Sequence, residues 1–159
     1  MPQTTECDTV EIKQTLNEVL VKLFRNINNI EEQAMRTEKY KEVTTNDMHV
    51  IEAIGIDCPK NMTAVAKALG VTTGTLTISV NSLVKKGFVE RVRSEEDRRV
   101  VLVSLSEKGK SAYRHHQKFH EEMIDAILQR LTEEEKSALE KALRNLNGFF
   151  IEKSKGKQE

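Results

Sequence analysis

Residues Asn61–Leu105 read NMTAVAKALGVTTGTLTISVNSLVKKGFVERVRSEEDRRVVLVSL. The stretch parses into a short helix, a glycine turn, a longer helix and two strand-like runs around a charged tip. Asn61 or Thr63 is a residue type that caps a helix, and Ala64, Val65, Ala68 and Leu69 supply small and branched core contacts before Gly70. The second helix starts at Thr72 or Thr73 and ends at Gly87, burying Leu76, Val80, Leu83 and Val84. At about 100° per residue, its opposite face carries Gly74, Ile78, Asn81 and Lys85, flanked by Thr75 and Ser82. A helix core requires no such face: nearly uncharged for two turns, with a glycine and an outward β-branched residue. A helix that enters a major groove uses all of these. Thr and Asn bond base edges or phosphates, Ile touches thymine methyls, and Gly lets the backbone approach. The N–H groups at the helix start favour a phosphate.

Phe88–Arg93 alternates, and Val100–Leu105 is apolar and β-branched, with Ser94–Arg99 as a tip made of charge. Alone, such a hairpin is a solvated turn. Beside the helix just described, it reads as a wing whose tip arginine enters a minor groove. An Asp two residues before an Arg, as Asp97 stands before Arg99, holds a guanidinium by a bidentate pair. The charge distribution agrees. Formal net charge over 159 residues is zero, but Lys60, Lys67, Lys85, Lys86, Arg91 and Arg93 face only Glu90 between them. Glu121–Glu152 is acidic by contrast, as on a solubilising body.

The flanks are helical arms. Ile12, Leu16, Val19, Leu20, Leu23, Phe24, Ile27 and Ile30 make one long stripe, starting from a cap at Asp8 or Thr9. It runs past what a short core contact needs, and a partner chain is the simplest second surface. Residues 36–44 are polar without a breaker. Thr45 caps a helix to about Gly55, with Met48, Ile51, Ile54 and Val50 inward. Ser106 caps a fifth helix whose inward stripe is Tyr113, His116, His120, Ile124, Ile127 and Leu131, and whose first turn holds an unusual Gly109. Thr132–Glu135 is a capping box, followed by the stripe Leu139, Ala142, Leu143, Leu146, Phe149 and Phe150. The fold expected is mostly α with a small β-hairpin wing. A winged helix-turn-helix DNA-binding core, 37–105, is flanked by N- and C-terminal dimerisation helices, 1–36 and 106–159.

The run Asp97-Arg98-Arg99-Val100-Val101-Leu102-Val103-Ser104-Leu105-Ser106, with Glu107-Lys108-Gly109, closely resembles the wing signature of the MarR family of winged-helix regulators. Thr75-Leu76-Thr77 and Leu83–Val89 resemble that family's recognition helix and its exit. MHVIEAIG, GTLTISVNSLVKKGFVERVRSEEDRRVVLVSL and the two-helix tail are similar to the branch that represses bacterial fatty-acid synthesis genes. The resemblance implies a homodimer with two winged helices over a pseudo-palindromic operator in duplex DNA. It implies Arg99 in the minor groove, Asp97 as its orienter and Arg98 as the second candidate. Thr73, Gly74, Thr75, Ile78 and Asn81 would face the major groove, and Lys67, Lys85, Arg91 and Arg93 are phosphate candidates. The branch implies a fatty-acyl corepressor, carried on acyl carrier protein. A pocket by analogy lies where the first, second and fifth helices meet, at Phe24, Ile27, Ile51 and His120.

Other chemistries are weaker here. His116 and His120, one turn apart, have metal-ligand spacing, but a hydrogen-bonded core or interface role is the plainer reading, and no metal is expected. Cys7 and Cys58 fit a reducing cytoplasm, and only Lys60 stands near Cys58 to lower a thiol pKa. No apolar run approaches the roughly 18 residues of a membrane span. No phosphate loop, nucleophile elbow or His-Glu metal signature is present, so an enzyme is not expected and neither is a cofactor. Two alternatives stay open: a repressor released by a small aromatic or apolar compound, and a winged-helix module for protein contact.

Overall fold

The computed structural model describes residues 6–37, 39–98 and 100–155, and side chains from Val10 to Lys153 within them. The elements are α1 (Glu6–Met35), α2 (Thr45–Ile54), β1 (Lys60–Asn61), α3 (Met62–Leu69), α4 (Thr73–Lys85), β2 (Val89–Arg93), β3 (Val101–Leu105), α5 (Glu107–Leu128) and α6 (Glu133–Lys155). The fold is mostly helical with one small antiparallel sheet in the order β1-β3-β2. Two compact units result, Met1–Phe119 and His120–Glu159. Among the described residues, no helix is long and apolar enough to cross a membrane.

The first unit holds the core. Its buried apolar residues run from Met35 to Ala112 and include Met48, Ile51, Ile54, Val65, Leu76, Val80, Leu83, Phe88 and Val103. The strand β3 pairs with β2 in register Val89↔Leu105 to Arg93↔Val101, and with β1 through Lys60↔Val103. Strand alternation places Val103 and Leu105 on the core face and leaves the outer half of the hairpin in solvent. The helix α4 is capped by Thr72, whose hydroxyl accepts from Thr75 N at 3.1 Å. It ends where Gly87 takes φ 77°, a left-handed value that favours glycine. Phe88 N then donates to Leu83 O at 2.9 Å, and the Phe88 ring turns into the core.

Several local expectations shift. The first helix begins at Glu6, so Asp8 and Thr9 lie inside it. The cap of α2 is Thr44, one residue before the expected Thr45. Its hydroxyl accepts from Asp47 N, and the Asp47 carboxylate accepts from Thr44 N, both at 3.1 Å. In α3 the buried pair is Val65 and Ala66, and Ala64 and Ala68 are exposed. The two residues Lys60–Asn61, expected only as loop and cap, form a third strand while Asn61 caps α3 through its bond from Ala64 N at 2.7 Å.

Residues 36, 37 and 39–44 leave the helix, and Lys39, Tyr40 and Glu42 bond to α5. Tyr40 and Val43 are buried, and the Tyr40 hydroxyl bonds Ser111 Oγ at 2.8 Å. The first turn of α5 explains its glycine. A Cβ on Gly109 would stand 2.0 Å from Phe88 O, so any larger residue collides with the backbone. Ser106 ties the same corner: its N–H donates to Phe88 O at 3.0 Å, and its hydroxyl donates to Gly87 O at 2.6 Å.

The second unit is the end of α5 and α6. Thr132 caps α6 as expected, with Glu135 N donating to its hydroxyl and Glu135 Oε2 accepting from Thr132 N at 2.8 Å. The α6 stripe is exposed: Leu139, Leu143, Leu146, Phe149 and Phe150 all face outward.

Candidate nucleic-acid interface

The outer face of α4 is built from the residues its periodicity selects. Leu76, Val80 and Leu83 take one side into the core. Ile78 is left 74% exposed on the other, beside exposed Thr73, Gly74, Thr75 and Asn81. The threonine hydroxyls are partly engaged within the helix. Thr75 Oγ1 bonds Thr72 Oγ1 at 2.9 Å, and Thr77 Oγ1 donates to Thr73 O at 2.7 Å. No charged residue lies in the first turn. The open N–H groups there therefore keep their partial positive character.

The cations divide into two sets. Lys86 pairs with buried Asp47 at 2.7 Å and fastens the end of α4 to the start of α2. Lys60 Nζ donates to Ala53 O at 3.0 Å. These two serve the fold. Lys67, Lys85, Arg93 and Arg98 are exposed on α3, α4, β2 and the tip. Arg91 is also exposed, but its guanidinium donates to Asn81 Oδ1. Sequence reasoning placed both residues on the DNA side and missed that they touch; a contact between a helix and a strand has no signature in spacing.

The wing tip is ordered by its own backbone. Ser94 N donates to Val100 O at 3.0 Å, Val100 N donates to Asp97 O at 2.9 Å, and Ser94 Oγ accepts from Glu96 N at 3.2 Å. Asp97 is half-buried and Arg98 exposed. Arg99, and with it the expected Asp97–Arg99 pair, lies outside the described residues, as does the Cys7 side chain. Cys58 is a free, exposed thiol.

A second polar centre lies inside the first unit. His116 is fully buried, with Nε2 on Glu31 at 2.6 Å and Nδ1 on Glu52 at 2.9 Å. It thereby joins α1, α2 and α5. Burial disfavours its charge, but the hydrogen bonds to Glu52 and Glu31 outweigh that, and the imidazole is held above its ordinary value. Both ring nitrogens are engaged by carboxylates. Of the residues expected around a ligand, Phe24 is 63% exposed, Ile27 half-buried, Ile51 fully buried in the core and His120 half-buried on α5. A cleft of about 710 Å³ opens between the end of α1 and the start of α2, lined by Glu32, Met35, Arg36, Lys41, Val43 and Asn46 among others.

The family model for the transcriptional regulator SarA/Rot matches residues 34–116, just over half of the chain. The chain is similar to Streptococcus pneumoniae FabT, solved in complex with DNA: 41% identity, TM-score 0.82, covering 88% of this chain and 98% of that one. A MarR family transcription regulator shares the fold, at TM-score 0.76 and 18% identity over 93% of this chain and 95% of that one. The uncharacterised HTH-type transcriptional regulator YpoP of Bacillus subtilis (strain 168) is 28% identical over 70% of this chain and 74% of its own length. Several further curated relatives are matched over about half of their own length.

Proposed function

Because the chain belongs to the SarA/Rot family of transcriptional regulators, DNA-binding winged helices of the MarR type, we propose that it is a homodimeric repressor of fatty-acid synthesis genes. Two copies pair through their helical arms and set two winged helices over a pseudo-palindromic duplex. Each α4 enters a major groove with Thr73, Gly74, Thr75 and Ile78 against base edges. Each wing lies along a minor groove with Arg98 and Arg99 at its tip, oriented by Asp97. Lys67, Lys85 and Arg93 neutralise phosphates, which makes affinity fall steeply with salt.

The observation that carries the DNA-binding part is the outer face of α4. An isoleucine three-quarters exposed on an otherwise small, uncharged surface has no role in the core beneath it. Against a thymine methyl it supplies apolar contact and base preference. The fatty-acid part is supported by the 41% likeness to FabT over nearly all of that protein. On this reading a fatty-acyl group, delivered on acyl carrier protein, acts as corepressor and strengthens the grip on DNA.

A gel-shift tests both parts. A duplex selected by the chain from a randomised pool is titrated alone, with empty acyl carrier protein and with the long-chain acyl form. Tighter binding with the acyl form alone supports the corepressor. Equal binding in all three removes the acyl signal and leaves the DNA reader. Failure to enrich any duplex at low salt removes both and favours a protein-contact module.

A further inference from the structure

Asn81 stands on the outer face of α4, and the guanidinium of Arg91 on β2 donates to its side-chain oxygen. The strand's alternation explains how Arg91 reaches a helix. Arg91 is the ladder partner of Val103, which is fully buried. Cross-strand partners project from the same face of a sheet, so Arg91 leaves the hairpin on its helix-facing side, just beyond the core. Glu90 and Val92 project from the other side. The helix α4 packs against β2, and Arg91 reaches it through the bond to Asn81.

The chemistry of this contact has a direction. A guanidinium carries only donors, so it takes the carboxamide oxygen of Asn81 and turns the Nδ2 group away. An asparagine that reads adenine accepts from N6 through Oδ1 and donates to N7 through Nδ2. With Oδ1 held by Arg91, that bidentate pair is not presented. Arg91 uses one edge of its fork on Asn81 and keeps further N–H donors for a phosphate.

We infer that Asn81 is a positioning residue for Arg91 and not a reader of adenine. It braces the first strand of the wing against the recognition helix and aims the Arg91 guanidinium at a backbone phosphate beside that helix. The inference rests on the DNA-binding reading above. Base preference beyond the first turn of α4 then falls to Ile78 and to duplex shape, and the Asn81–Arg91 pair contributes affinity alike on every sequence.

The test is a double-mutant cycle on a duplex that the full wild-type chain selects from a randomised pool. Asn81→Ala, Arg91→Ala and the double variant are titrated against that duplex and against single base-pair variants of it, at several salt concentrations. Both side chains are exposed, so all variants should melt with the wild type. Each single substitution is expected to weaken binding about fivefold to tenfold on every duplex, and the double variant no more than Arg91→Ala alone. Arg91→Ala is expected to lower the slope of log affinity against log salt by about one. Losses that multiply in the double variant, or a base preference that relaxes at one position in Asn81→Ala, overturn the inference while leaving DNA binding standing. A wild-type chain that selects no duplex overturns the DNA-binding reading and this inference with it.

Discussion

The winged core and the α6 arm are both rich in apolar residues, and they use them in opposite ways. Within the winged core Phe88, Met48, Ile51, Leu76 and Leu83 are almost fully removed from water, with Ile78 the large exception on the outer face of α4. In α6, Leu143, Phe149 and Phe150 stand more than half exposed, as do Val10, Leu16 and Phe24 along α1. Each fully buried Leu, Ile or Phe stabilises by about 1.5–3 kcal/mol, so the core closes on itself. The arms carry the same side chains with their contribution unrealised. A contiguous exposed apolar stripe of that kind is the sort of surface that another surface covers. The difference teaches that the apolar residues that close the core and those left open to water lie on separate stretches of one chain.

Substitutions can break this separation, beginning with the largest effect on unfolding. Gly109→Ala places a methyl against Phe88 O and should cost about 3 kcal/mol or more in urea unfolding. A loss under about 1 kcal/mol would mean that the corner yields. His116→Ala leaves Glu31 and Glu52 facing a buried gap, and about 3 kcal/mol should be lost. The same site predicts a pH dependence. The folded pKa of His116 lies above 6.5, so its stabilisation is complete below that pH and fades as pH rises through the folded value. Wild-type urea midpoints should fall across that rise, and those of His116→Gln should fall less. Thr44→Ala removes one half of the capping box and should cost about 1 kcal/mol. Smallest in its effect on the fold is Leu143→Glu with Phe150→Glu in the arm. Helical content should stay within error of wild type, while sedimentation reports a monomer and the melting midpoint stops rising with protein concentration. A dimer that survives both charges would remove the α6 stripe from the pairing surface.

Much of this was legible in the sequence because it is local. The four-residue repeat Leu76, Val80 with Leu83 defines the inner face of α4, and what remains is the outer face. Thr132 and Glu135 announce their capping box by spacing alone. The alternation from Phe88 and the charged run at Ser94–Arg99 announce a hairpin. What was not legible is long-range or very short. Lys60–Asn61 is too brief for alternation to register, and only pairing with β3 makes it a strand. Thr44 and Thr45 are both caps by type, and the choice falls to Thr44 because Asp47 stands three residues on and is held by Lys86. Ala66 is chosen over Ala64 and Ala68 by what packs against α3. Among the interface candidates, the exposed face of α4 could be named residue by residue. That two of its neighbours, Asn81 and Arg91, share a hydrogen bond could not.

The corner at Gly87, Phe88, Ser106 and Gly109 has a mechanical consequence. There the end of α4, the root of the wing and the first turn of α5 meet at backbone contact, with Lys108 Nζ bonded to Lys86 O at 2.9 Å and lying over the Phe88 ring. No soft side chain lies between Gly109 and Phe88 O to absorb a displacement. A joint made of backbone contact is stiff: a rotation of the first turn of α5 presses on Phe88 O and so on the end of α4 and the root of the wing.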